Sequence, residues 1–521
     1  MRTAPLFTAA LLLVASAPAL GQPRLLQADD FKHHIDYFNR MEDEHAAQAI
    51  PNAQAWEFLR GNIPLFACPQ DNFEEMYYFR WWSVRKHLRA TPQGYTVTEF
   101  LVPRSYADKY NMISSGLGHH IFELRWLHDS AYLNSYVRLW YRGSEGQPLK
   151  RLRAFSSWTA YALLQRYCVN LDAAYLTGLL PDLRAEYAAW EQERRRPDGL
   201  FWQYDVRDAM EETISGGRRE KNARPSISSY MYANAVAIAQ AARLAGHAAL
   251  ADTFAAKADT LKALVEQKLW SEPLSFFETL KQADTFAHVR EAIGYMPWYV
   301  GMVSDAPRYN EAWRQALDEG GFLAPFGLTT AERRHPLFRA HGCCREQLGS
   351  CCKCEWDGAI WPFATAQTLT GMASFMNSQP QQQVVSDSAY FALLERYVEA
   401  QHHRGRPYIG EYQDEVTGYW LKGDQERSRY YNHSTFADLI ITGLAGLRPR
   451  PDSLLEVRPL LPRGRWPWFC LDNLRYHGKT LTIFWDETGE KFKRGKGLHV
   501  LVDGREVAHA EGIARVVARL R

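Results

Sequence analysis

The sequence has no excess of either charge: 61 Lys and Arg stand against 59 Asp and Glu, a formal charge of +2. No global field therefore favours nucleic acid or an anionic membrane surface, and the expected partner is a neutral small molecule. Several catalytic signatures are also missing. There is no Gly-x-Ser-x-Gly, no His-Glu-x-x-His, no phosphate loop and no dinucleotide fingerprint, so the esterase, zinc-protease, nucleotide and NAD readings lose their usual support. Beyond the first residues no stretch stays apolar for the roughly 18 residues that a membrane helix needs.

What is present starts with Met1-Arg2, an apolar run from Leu6 to Leu20, and Ala19-Leu20-Gly21 before Gln22. That order resembles a secretory signal, residues 1–21, and predicts a secreted or periplasmic mature chain. Export makes disulfides possible. Five of the eight Cys lie close together, at Cys343, Cys344, Cys351, Cys352 and Cys354, with Cys68, Cys168 and Cys470 scattered. Disulfides or structural thiols are the expectation there, with no cofactor; zinc at the Cys343–Cys354 cluster and a catalytic thiolate are the alternatives.

Aromatic residues are plentiful, with 17 Trp and 27 Tyr. Rings with a polar edge stack on sugar C–H faces and hydrogen-bond hydroxyls, although a large helical core uses the same residues as filler. From residue 73 to 447 the chain alternates connections with amphipathic blocks, among them Ser156–Tyr167, Leu171–Arg194, Ser229–Ala245, Ala248–Leu269, Trp361–Met376 and Asp387–His402. Apolar residues recur in them at three- and four-residue spacing, which predicts a mainly α helical toroid or bundle. After Gly446-Leu447-Arg448-Pro449 short strand-like runs predict a small antiparallel β domain over 448–521, with a hairpin at Asp503-Gly504. Residues 22–72 read as an N-terminal arm.

Two segments can carry acid–base chemistry. Asp198 to Gly217 sets Asp208, Glu211 and other carboxylates beside Trp202, Tyr204 and Met210 in a connection between helices. An apolar wall raises a carboxyl pKa, as a general acid requires; a solvated acidic turn is the plainer alternative. The second segment places Glu411 before Tyr412 and an Asp414–Gly418 turn, where it can serve as a base or simply pair with Arg406. Three clusters look like walls of a sugar pocket: Phe79-Arg80-Trp81-Trp82, then His119-His120 through Glu123 to Trp126, and Glu355-Trp356-Asp357 to Trp361. His119 and His120 are also zinc candidates, although adjacent histidines suit one ion poorly. A non-catalytic glycan binder and a Tyr/His polysaccharide lyase, using Tyr430-Tyr431-Asn432-His433, are the readings from other classes.

Taken together, Asp208-Ala-Met-Glu211, Trp356-Asp-Gly-Ala-Ile-Trp361-Pro-Phe363, Glu411-Tyr-x-x-x-x-Thr417-Gly418 and Tyr431-Asn-His-Ser434 resemble the mannosylglycerate-hydrolase-like branch around glycoside hydrolase family 63. The resemblance spans roughly Phe73 to Leu447. It implies an (α/α)6 six-hairpin toroid and an exo-acting, inverting hydrolase of a glycoside or oligosaccharide. Carried over by position, the acid falls on Glu211 and the base on Glu411, with Asp208 a rival acid because Ala209 replaces the usual Gly and Glu211 the commoner Asp. Arg80, Trp82, His120, Glu123, Trp126, Trp202, Asp357 and Trp361 would then line the sugar pocket. The paired cysteines are also similar to the zinc-thiolate site of β-L-arabinofuranosidases, retaining enzymes with a Cys nucleophile, although the spacing departs from theirs.

Overall fold

Proline begins two long helices, Pro225–Leu244 and Pro362–Ser378, where its missing N–H costs nothing and its fixed φ suits a first turn. They belong to a computed structural model that describes residues 24–42, 44, 48–340 and 354–520. The expected leader and Cys343, Cys344, Cys351 and Cys352 lie outside those residues.

Burial separates inner from outer helices. Pro225–Leu244 is buried on nearly every side, whereas its neighbour Ala248–Lys268 buries only Ala251, Phe254, Ala258, Leu261 and Val265. Steps of three and four residues make one apolar stripe on the outer helix, so it packs on one face while the inner helix is enclosed. Pro362–Ser378 and Asp387–Ala400 repeat the arrangement. The result is an (α/α)6 toroid. The expected block Leu171–Arg194 is divided into Ala173–Gly178 and Leu180–Arg194, with Pro181 just inside the start of the second helix, where proline is tolerated. No described helix is long and apolar enough to cross a membrane.

The inner helices bring their first turns together. His119, in Leu117–Leu124, lies 5.1 Å from the ring of Trp158, which precedes Thr159–Asn170, and 4.3 Å from Phe363. His433 packs on the same two histidine and phenylalanine rings. The connections that precede these turns therefore converge at one mouth of the toroid, the end where side chains are displayed on loops.

At the other end of the sequence a five-stranded antiparallel sheet runs in the order Leu65–Ala67, Trp468–Tyr476, Lys479–Asp486, Gly497–Val502, Arg505–Ala510. Asp503 and Gly504 turn the last hairpin with φ of 48° and 78°, the left-handed pair that a two-residue turn requires. The edge strand Leu65–Ala67 comes from the N-terminal arm and pairs with Cys470–Asp472. Asp472 also accepts hydrogen bonds from the backbone N–H groups of Leu25 and Leu26, so the arm is stitched to the β domain.

Candidate active site

The acidic connection is held from below. Asp208 is buried and accepts hydrogen bonds from Arg224 Nε at 2.8 Å and from the Ser226 hydroxyl. Both donors sit at the start of Pro225–Leu244, so Asp208 anchors its loop to an inner helix. The chain then passes through Ala209 at φ 60° and Glu212 at φ 65°. Between these left-handed residues, Glu211 is turned away from Asp208, and its backbone carbonyl accepts a hydrogen bond from Trp356 N–H at 3.3 Å. Burial raises the Glu211 carboxyl to about 7; its own backbone N–H opposes this, and the negative charge of Glu411 adds to the rise. Asp208 is engaged by Arg224 and Ser226 and faces the helix, whereas Glu211 shares a field with Glu411.

Glu411 has the opposite environment. Both its oxygens accept from Arg427, at 2.9 and 3.0 Å, and Lys422 Nζ lies 3.3 Å from Oε2. Its backbone N–H donates to the Ser428 hydroxyl at 3.0 Å. Arg406, the partner that the sequence suggested, instead reaches the Met41 carbonyl. Two cations compensate a carboxylate that is itself only 3% exposed, which allows a charge to persist where isolated burial would forbid it. The acidic loop and the Glu411 segment meet, moreover, across Glu355-Trp356. Trp356 N–H binds the Glu211 carbonyl, and Ile360 and Gln413 form a two-way backbone bridge.

A third carboxyl stands close by. Glu99 accepts from the Ser115 hydroxyl at 2.8 Å and the Tyr431 hydroxyl at 2.7 Å, and His433 Nε2 lies 3.6 Å away. Burial raises Glu99 to about 8 against those hydrogen bonds, with Glu411 and Glu211 adding their repulsion. Sequence reasoning missed Glu99, Lys422 and Arg427; Glu99 follows the short strand Gly94–Val97, where no local motif marks it. Cys354 also enters the site, 4.0 Å from Glu411 Oε1 and 3.6 Å from Lys422 Nζ. Burial pushes its thiol up to about 12, with the two glutamates acting in the same direction.

The residues expected to line a sugar pocket are distributed differently. Trp82 is fully buried, donates to Asn39, and packs against Phe38, Phe79 and Tyr430 with Lys86 over its ring. Trp126 donates to Asp438 at 2.6 Å and is 1% exposed. Neither has a free face, because aromatic clusters in a thick toroid wall are consumed by helix packing. Arg80 joins Glu123 at 3.3 Å to Asn432 at 2.7 Å, a buried link between inner helix and loop. His120 bridges the Tyr136 hydroxyl and the Asn432 carbonyl, with burial lowering it to about 3. Arg80, Glu123 and His120 support the Tyr431-Asn432-His433 segment from behind. Trp361 is stacked between Trp356 and Tyr412 at 4.6 and 4.7 Å. Trp202 is covered by Arg194 and flanked by Lys221. Asp357 is buried, and its carbonyl accepts from Arg339 N–H at 2.9 Å.

Residues 109–434 match the mannosylglycerate hydrolase MGH1-like glycoside hydrolase domain, and residues 447–509 match the C-terminal domain of glycosyl hydrolase family 65. The chain belongs to the MGH1-like glycoside hydrolase family. A solved structure described as a sialidase is 57% identical over 95% of this chain and 45% of that one, with a TM-score of 0.92. The chain thus spans under half the length of that relative. The GH63 mannosylglycerate hydrolase from Thermus thermophilus in complex with glucose aligns over 70% of this chain and 99% of that one, at 13% identity and a TM-score of 0.52. A GH78 family rhamnosidase of a Bacillus species aligns over 81% and 40%, at 10% identity and a TM-score of 0.57. These two share the fold.

Proposed function

We propose that this chain is a glycosidase that removes a terminal sugar with inversion, Glu211 protonating the leaving oxygen and Glu411 activating a water. The observation that carries the reading is the contrast between the two carboxyls. Glu211 is raised to about 7 by burial, while Glu411 is compensated by Arg427 and Lys422. An inverting pair needs one carboxyl that keeps its proton near neutral pH and one that accepts a proton from water. Asp208 is engaged with Arg224 and Ser226 and takes a positioning role in this scheme. The substrate is a glycoside or oligosaccharide, with no nucleic acid or membrane partner, and the mature chain is secreted or periplasmic.

The place of Cys354 beside Glu411 favours a second reading, a retaining thiolate mechanism with zinc held by the Cys343–Cys354 cluster. A thiol pushed up to about 12 opposes it, since the thiolate is the nucleophile. A panel of aryl glycosides that includes rhamnosides, mannosides, arabinofuranosides and sialosides identifies the sugar. Proton NMR of the first-formed anomer then decides the mechanism: the inverted anomer is expected, and a retained one together with bound zinc overturns the carboxylate pair.

A further inference from the structure

The toroid contains a second polar cavity far from these carboxyls. Phe363 packs on His119 and His433 near the catalytic mouth, and Asn377 lies about four turns later on the same helix. At ~1.5 Å per residue that is about 20 Å along the toroid axis. There a cavity of about 240 Å³ opens between the inner helices and the Leu447-Arg448-Pro449 link to the β domain. It is smaller than the ~300–1,000 Å³ of drug-sized ligand sites, and junctions between domains are where such sites tend to form.

Its lining is electrically balanced. Arg125 pairs with Asp438 through Nε at 3.1 Å and Nη2 at 2.7 Å, and Trp126 N–H adds a third donor to the same oxygen. At the rim, Arg448 is paired with Glu456. A charged ligand would find no uncompensated partner. Neutral groups remain: the Gln165 and Asn377 amides and the Thr370 and Ser374 hydroxyls. The rings of Phe122, Tyr161 and Tyr299 close the apolar side. A π-turn, Ile440–Leu444, carries Thr442 into the same wall, and such turns mark functional positions more often than ordinary helix does.

Donors and acceptors without charge, set beside aromatic rings in a space for one small ring, are the complement of a polyhydroxylated neutral molecule. We propose that this cavity is a second carbohydrate site that takes a single neutral monosaccharide or polyol of similar size, at the end of the toroid opposite Glu211 and Glu411. The bound molecule joins the inner helices to the β domain and takes no part in bond cleavage, so the proposal stands independently of the catalytic assignment.

The test uses the whole chain, with glucose, galactose, mannose, rhamnose, arabinose and glycerol as probes. Calorimetry and crystals soaked with each probe are expected to place at least one sugar against Asn377. Asn377→Leu and the milder Ser374→Val, each checked for an unchanged melting temperature, should weaken that isotherm at least tenfold. Turnover of an aryl glycoside should stay within twofold. If glycerol alone binds, the site takes small polyols and not sugars, and the carbohydrate assignment falls. Water alone in the cavity across the panel, occupancy at crystal concentration only, or an isotherm untouched by both variants also overturns it.

Discussion

Glu211 and Glu411 are the same residue type a short distance apart in the same mouth, yet the protein surrounds them in opposite ways. Glu211 lies against Trp356 backbone in a tight left-handed loop, where burial and the charge of Glu411 raise its carboxyl, Lys422 opposes them, and Asp205 adds a smaller repulsion. Glu411 is clasped by Arg427 and Lys422. Environment, and not residue identity, divides acid from base in such pairs. The surrounding histidines reinforce the division, because burial drives His119, His120 and His433 down and leaves them neutral beside the carboxyls.

The largest effect should come from the clasped side. Glu411→Gln keeps the shape and removes the proton acceptor, and acid–base groups are worth about 10²–10⁴ in rate, with the upper part of that range expected here. Steady-state kinetics and circular dichroism check it together: a folded variant with more than a tenth of normal turnover moves the base to another residue. On the acid side the loss should depend on the leaving group. Glu211→Gln should cost about 10²–10³ on a natural glycoside and under tenfold on a dinitrophenyl glycoside, which departs without a proton. The same contrast sets the pH profile. In the proposed scheme Glu211 works protonated, so the alkaline side of the kcat/KM profile should begin near pH 7 and fall tenfold per unit above it. The dinitrophenyl substrate should lack that alkaline limb. A shared limb for both substrates assigns it to another group, and Glu99, raised to about 8, would then be the group to replace.

Much of this contrast was invisible in the sequence, for physical reasons that differ by region. The outer helix Ala248–Lys268 was legible because Ala251, Phe254, Ala258, Leu261 and Val265 repeat at helical spacing, and the last hairpin because Asp503-Gly504 accepts two positive φ angles. The strand Leu65–Ala67 was not, since its partner Cys470–Asp472 lies some four hundred residues away and nothing local announces a sheet edge. Glu211 and Glu411 were singled out through motif order. Their partners were not: Lys422 and Arg427 return through a turn whose three-dimensional path the spacing does not encode. Trp82 and Trp126 misdirected the reading because an aromatic beside a charge looks alike whether it faces a sugar or, as here, a buried Asn39 or Asp438.

The smallest pair of effects sharpens the comparison at the backbone. On the base side Gly410 has no room for a side chain: an added Cβ would meet Trp420 Cε3 at 2.7 Å and Ser428 Oγ at 3.1 Å. Ser428 is the group that accepts the Glu411 N–H, so Gly410→Ala should displace that support, cost about 1–3 kcal/mol as overpacking does, and lower kcat severalfold. On the acid side Ala209 occupies φ 60°, a conformation that costs a residue with a Cβ about 1–2 kcal/mol. Ala209→Gly relieves that strain and gives back about 0.5–1 kcal/mol through the freer unfolded chain. The net is a stability gain of up to about 1 kcal/mol with turnover within twofold. Melting curves on the two variants should therefore move in opposite directions. An Ala209→Gly variant that melts lower than the parent would show that the left-handed turn beside Glu211 carries no strain, and that the loop is held by the Asp208–Arg224 anchor alone.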